Sequence, residues 1–370
     1  MVVKKVGIMS MQRIFNYGSF LQAYGLKKIL EELGAQVVFV DFHIEQPLIQ
    51  KYNEKRFLTL EKIIDIFRTE VSLKEKIQFI IYKLKFKRKY LKQLGVKEDK
   101  NFTPKLDVLI IGSDEVFNCV QSNPNVGYSK ELFGYNNNAK KLISYAGSFG
   151  NTTLKKLEKF EIKKEISELL QKFDSLSVRD VNSGRIVSTL TDIQPTYNLD
   201  PVLIYNFMDK CLISPKKKQK KYMILYAYSG RISEKEGKWI KKFARENGLQ
   251  IYAIGGIQKC ADKFVSCAPL EVIAYFNNAK YVVTDTFHGT IFSIITHRKF
   301  ISLIRKSSGD SYGNEEKLSD LLKKMNLTER IVYDIDKALV VLDKRIDYKR
   351  VDEVIAIERK KALMYLEKNI

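Results

Sequence analysis

Apolar residues cluster in short runs separated by polar turns, and the runs alternate between two spacings. Val6–Met9 is a continuous apolar run that reads as a buried strand. Ser19–Leu33 then carries helical spacing through Phe20, Tyr24, Ile29, Leu30 and Leu33, with Gly34 as its C-cap. Val37–Val40 resumes as a strand ending at Asp41. This is one βαβ unit, and it places the loop Ser10–Gly18 at the carboxyl end of the first strand. Residues 45–100 show helical periodicity, many charges and no strand pattern, so they read as a helical insertion. Further strands are expected at Asp107–Ile111, closed by Gly112-Ser113-Asp114, at Leu142–Tyr145, and at Leu176–Val178, which leads to Arg179-Asp180. Helices are expected over about 153–172 and from Ser183-Gly184, and Asn198-Leu199-Asp200-Pro201 marks a strand end.

Residues 206–221 are basic and polar with Pro215, which makes them the best candidate linker. A second series follows: strands at Met223–Tyr226, Ile251–Ile254, 281–285 and Ile301–Ile304, and helices at about 233–246 and 269–277. Two runs of alternating strand and helix predict an α/β chain with two doubly wound, Rossmann-like domains facing a cleft, with ligands expected at the carboxyl ends of the strands. The expected boundaries are 1–208 with the insertion, 209–345, and a C-terminal helix in 346–370 that crosses back to brace the first domain. The length of 370 residues agrees, since single cores stop growing at roughly 250–300 residues.

Composition narrows the class. The N-terminal apolar stretch is too short for a signal peptide and no segment reaches ~18 uncharged apolar residues, which predicts a cytoplasmic protein that spans nothing. Cys119, Cys211, Cys260 and Cys267 lack C-x-x-C spacing and read as buried free thiols, against zinc, iron–sulfur clusters and disulfides. The formal charge of +21 is mostly dispersed lysine but is dense at residues 81–92 and Lys216–Lys221. In the first of these Tyr82, Phe86 and Tyr90 form a stripe at i, i+4, i+8 beside a basic face. Two readings stand: a helix lying on an anionic membrane or phosphate-rich ligand, or a solvated helix packing its stripe on the domain. Dispersed charge without a recognised motif argues against specific nucleic-acid binding.

The candidate chemistry falls at strand ends. His288, one of three histidines, sits where Tyr281-Val282-Val283 turns through Thr284-Asp285-Thr286-Phe287-His288-Gly289 into a helical run. A helix start attracts anions, although a lone ring there can equally be a cap or a filler. Asn16 and Ser19 flank the start of the first helix, Asp114 closes Gly112-Ser113-Asp114, and Arg179 offers a fork for carboxylate or phosphate. No G-x-G-x-x-G follows the first strand, no G-x-S-x-G elbow occurs, and Walker A spacing is absent, so dinucleotide binding, Ser-His-Asp hydrolysis and P-loop chemistry are disfavoured.

Several of these clusters together resemble the polysaccharide pyruvyl transferase family. The match is carried by Asn16-Tyr17-Gly18-Ser19 with Leu21-Gln22-Ala23-Tyr24, Val108–Asp114, Ser144–Gly150, Leu176–Asp180, Asp200-Pro201 and Thr284–Thr290. The resemblance spans about 5–325 and implies a GT-B-like fold. It also implies transfer of pyruvate from phosphoenolpyruvate onto a sugar diol of a cell-surface or capsular saccharide precursor, giving a ketal and phosphate. Under it His288 is the acid or a cationic phosphate contact, supported by the N–H groups of Gly289 and Thr290. Asp114 accepts a sugar proton, Arg179 holds carboxylate or phosphate, and Asn16, Ser19 and Ser113 contact substrate. Thr286 stands where many members carry an arginine, so Arg298 or, better placed, Arg305 is expected to supply that cation. Phe117 stands where a tryptophan is common. No cofactor or metal is required, with a divalent ion left open. A lipid-linked acceptor would bring peripheral contact with the inner face of an anionic membrane. The nearest rival is a GT-B-type glycosyltransferase using a nucleotide sugar.

Overall fold

A computed structural model describes residues 3–49, 71–121, 126–210, 221–306 and 313–370. Among these residues twelve strands form two six-stranded, wholly parallel sheets. The first runs β2-β1-β3-β4-β5-β6, from β1 (Lys5–Met9), β2 (Gln36–Phe39), β3 (Leu106–Asp114), β4 (Ala139–Gly147), β5 (Ser177–Val178) and β6 (Thr196–Tyr197). The second runs β12-β11-β10-β7-β8-β9, from β7 (Tyr222–Tyr226), β8 (Gln250–Ile254), β9 (Lys263–Phe264), β10 (Tyr281–Thr284), β11 (Lys299–Leu303) and β12 (Ile331–Val332). Both sheets reverse strand order beside a central strand, which opens a crevice at the carboxyl ends there. This is the α/β, two-sheet architecture expected from the alternating runs.

The continuous apolar runs arise because both faces of each sheet are covered. Along β3, Val108 and Ile110 enter one core while Leu109 and Ile111 enter another. Along β7, Ile224 and Tyr226 join the first of these cores, whereas Met223 and Leu225 pack into a third. One apolar cluster therefore runs through both sheets. The helix Tyr348–Asn369 starts against the second sheet, where Tyr348 Oη donates to Arg298 O, and ends against the first, where Tyr365 Oη donates to Ser144 O at 2.8 Å.

The expected insertion falls partly outside the described residues, as does most of the candidate linker; what is described of the insertion is chiefly helical, with Leu73–Lys85 followed by a π turn at Phe86–Tyr90, while Glu45 pairs as an isolated bridge with Tyr128. Its aromatic stripe faces inward. Tyr82 and Phe86 are fully buried and Tyr90 nearly so, which settles the choice between the two readings of that stripe in favour of packing. Tyr82 lies 5.2 Å from the Tyr17 ring and 5.7 Å from Phe264 of the second sheet, centroid to centroid. Tyr17 Oη in turn donates to Cys267 O at 3.0 Å, so this aromatic cluster ties the two sheets together. Of the four cysteines, Cys119, Cys260 and Cys267 are free and buried, and Cys211 lies outside the described residues. No helix among the described residues is long and apolar enough to cross a membrane.

Candidate active site

The first sheet supplies one wall. Asn16 caps the helix Tyr17–Glu32, its Oδ1 accepting from Ser19 N–H at 2.7 Å, so the cap leaves Ser19 facing the end of β3. Ser19 Oγ donates to Asp114 Oδ2 at 3.1 Å. Asp114 itself has φ +88, a left-handed conformation that few non-glycine residues adopt, and this turns its carboxylate toward the crevice. Its Oδ1 accepts from Arg179 Nη2 at 3.2 Å and from Glu115 N–H at 3.0 Å.

Arg179 follows β5 and is almost fully buried. It forks between Asp114 and Asp200, donating to Asp200 Oδ2 at 2.9 Å, and lies over the Phe287 ring at 4.5 Å. Burial alone would lower the pKa of its guanidinium, but the two carboxylates raise it. Asp200 is fully buried and also accepts from Ser113 Oγ and Val202 N–H. Burial would push its carboxyl up, yet His288 and Arg179 hold it below the ordinary carboxylate value. Asp200 is thus an ionised group locked behind the crevice.

The second sheet supplies the other wall. Thr286 caps the helix Phe287–Ile295, and His288 stands in its first turn with a side chain 14% exposed. Its Nε2 lies 3.5 Å from Asp200 Oδ2, and its ring packs on Gly18, where any side chain would overlap it. One ring from the second sheet is thereby held against two residues of the first. His43 and His297 are exposed and pair with Glu131 and Asp352, each at 2.9 Å, away from the cleft.

Between the walls lies a cleft of about 580 Å³, within the range of small-molecule sites. Asn16, Gly18, Ser19, Asp114, Glu115 and Arg179 line one side, and Tyr228, Arg231, Asp285, Phe287, His288 and Lys317 the other. Arg231 Nε lies 3.1 Å from Asp285 Oδ2, and Lys317 Nζ lies 2.9 Å from Glu115 Oε1. Burial raises the Asp285 carboxyl above its ordinary value despite Arg231 and Arg305 nearby. Among the described residues no group of three or more His, Cys, Asp or Glu could hold a metal ion.

The structure brings His288, Asp114, Arg179, Asn16 and Ser19 to this cleft and corrects the other expected contacts. Gly289 N–H donates to Thr286 Oγ1 at 2.9 Å and Thr290 N–H to Thr286 O at 3.2 Å, so neither is offered to a ligand. The N–H groups ahead of them, on Phe287 and His288, belong to a first turn that has no intrahelical acceptors. Ser113 is fully buried, with its hydroxyl committed to Asp200. Arg305 is taken by Glu236, to which it donates at 2.5 and 3.1 Å, and Arg298 donates to Thr296 O and Ala279 O. Arg231 and Lys317 hold the cleft positions that sequence reasoning assigned elsewhere. Their only signal was location, Arg231 in the turn after β7 and Lys317 in the helix Glu315–Lys324.

A family model described as polysaccharide pyruvyl transferase matches residues 16–307. No curated protein sequence matches the chain. Among solved structures, a putative UDP-N-acetylglucosamine 2-epimerase from Listeria monocytogenes is similar at 9% identity, covering 99% of this chain and 96% of that one, with a TM-score of 0.51. A UDP-GlcNAc 2-epimerase from Neisseria meningitidis bound to UDP-GlcNAc is 8% identical, with coverage of 97% and 94% and a TM-score of 0.47. The first of these, at 9% identity, shows a likeness of fold alone, the GT-B arrangement of two facing sheets.

Proposed function

The chain belongs to the polysaccharide pyruvyl transferase family, and from that membership we propose that it moves pyruvate from phosphoenolpyruvate onto two hydroxyls of a saccharide, forming a ketal and releasing phosphate. The methylene carbon gains a proton, one sugar oxygen bonds to C2, phosphate departs, and the second sugar oxygen closes the ring. Of the two hydroxyl protons, one replaces the proton delivered to carbon and the other leaves with phosphate.

His288 delivers the proton to carbon, with the ionised Asp200 behind its Nε2. Arg231 and Lys317 grip the anionic donor, and Arg231 takes the part of the arginine that is absent at Thr286. Phe287 and His288 N–H groups add to that grip at the helix start. Arg179 is a positioning residue: it is spent on Asp114 and Asp200 and fixes the spacing of the two carboxylates. Asp114, paired with the Ser19 hydroxyl, accepts the sugar proton. The acceptor is a cell-surface or capsular precursor, carried on lipid and met at the cytoplasmic face of the membrane.

The observation that supports this reading best is the placement of His288 against Gly18 and Asp200 at the meeting of the two walls. Phosphate release from phosphoenolpyruvate, measured across a panel of lipid-linked and nucleotide-linked saccharides, tests it. His288→Ala is expected to reduce release at least ~100-fold, and full release by that variant would remove His288 from the chemistry. Thermal stabilisation by nucleoside diphosphates but not by phosphoenolpyruvate would favour nucleotide-sugar transfer instead.

A further inference from the structure

The helix Leu73–Lys85 buries one face and leaves the opposite face bare. Phe79 and Tyr82, with Phe86 and Tyr90 beyond its end, turn into the aromatic cluster between the sheets. Opposite them stand Leu73, Ile77, Ile81 and Leu84, which are 61%, 47%, 42% and 47% exposed. At 100° per residue these four fall within an arc of about 80°. Lys74 and Lys85 lie on one side of that arc and Lys76 and Lys87 on the other. Residues 73–92 hold eight basic side chains and one acidic, Glu75, which is bonded to the Ser72 cap.

An aliphatic stripe rimmed on both sides by lysine matches an anionic lipid surface. We propose that this face seats on an anionic bilayer, with the four aliphatic side chains in the headgroup–acyl boundary and the lysines at the lipid phosphates. The helix has 13 residues and therefore lies in the plane of the interface rather than across it. A second copy of this chain fits the face poorly, because pairing would bring the two basic rims together. The inner side of the same helix touches Tyr17, the neighbour of Gly18, so seating sets the cleft beside the lipid surface. The aromatic stripe first suggested for membrane contact is the side that points away.

The test uses the full chain with phosphatidylcholine vesicles prepared with and without phosphatidylglycerol, measured by flotation. Binding is expected only to the anionic vesicles and to fall as salt rises. Ile77→Glu with Ile81→Glu is expected to cut partitioning at least ~10-fold at an unchanged unfolding midpoint. Lys85→Gln with Lys87→Gln, a milder change on the rim, is expected to weaken binding and its salt dependence together. Equal partitioning of wild type and the Glu variant, or no partitioning of wild type at low salt, overturns the proposal. Conversion of a dimer to a monomer by the Glu variant, seen by light scattering, overturns it too by naming a second copy as the occupant. No turnover is measured, so failure here leaves the transfer chemistry untouched.

Discussion

Replacing Gly18 by alanine separates the packing of His288 from ordinary helix energetics. Gly18 sits in the first turn of the helix Tyr17–Glu32 with an unexceptional φ, so alanine there should gain about 0.5–1 kcal/mol from backbone entropy. Against this, the new methyl would lie 2.9 Å from His288 Cβ and overlap the imidazole. Overpacking of that kind costs about 1–3 kcal/mol, so the clash should win or break even, with a net loss of up to ~2.5 kcal/mol in urea unfolding. A ring displaced by about 1 Å should lower phosphate release by up to ~100-fold. In a His288→Gly background there is neither ring nor Cβ to meet, so the same Gly18→Ala change should stabilise by about 0.5–1 kcal/mol. That reversal of sign is the signature of direct contact. If Gly18→Ala stabilises both backgrounds equally and leaves turnover unchanged, the imidazole does not pack on the first helix and the assembled site described here is wrong.

Asp200→Asn removes the charge that Arg179 and His288 share and should cost about 3–5 kcal/mol at neutral pH, because it strips a fully buried partner from Arg179. Asp200 is held below its ordinary value of 3.8, so its stabilising contribution is present above that value and disappears as pH falls through the lower folded value; the difference between wild type and variant should narrow on acidification, and a constant difference in urea unfolding across pH would contradict it. Arg231→Ala should raise KM for phosphoenolpyruvate about 10–100-fold with a smaller effect on kcat, whereas Arg305→Ala, which breaks the pair with Glu236, should lower stability and leave KM nearly unchanged. The opposite pattern in steady-state kinetics would return the anion contact to Arg305.

Much of the architecture was legible because parallel strands covered on both faces must be apolar on both, and Val6–Met9, the Val108–Ile111 run of the strand read at Asp107–Ile111, and Met223–Tyr226 leave little alternative. His288, Asp114 and Arg179 were legible for a related reason: each follows such a run, and carboxyl ends of parallel strands converge. What could not be read was which polar atom finds which partner. Gly289 and Thr290 stood at the right turn, but Thr286 satisfies both of their N–H groups. Arg305 and Arg231 both follow strands of the second sheet, and only the position of Glu236, some 70 residues from Arg305 in the chain, draws Arg305 aside while Arg231, paired with Asp285, lines the cleft. The aromatic stripe had the right period for a helix face, yet period alone does not say which face the protein keeps.

The path of the backbone also imposes a timetable. The β4 carbonyl that Tyr365 covers lies 221 positions upstream of it, so β4 leaves the ribosome long before its lid is made. At about 5–20 residues per second the wait is on the order of 10–40 s. During that interval the growing chain completes the first sheet through β6 while the flank that Tyr365 covers is still open to water. Slow codons between these segments would lengthen the exposure, and the cost would show in yield, not in the activity of the molecules that close.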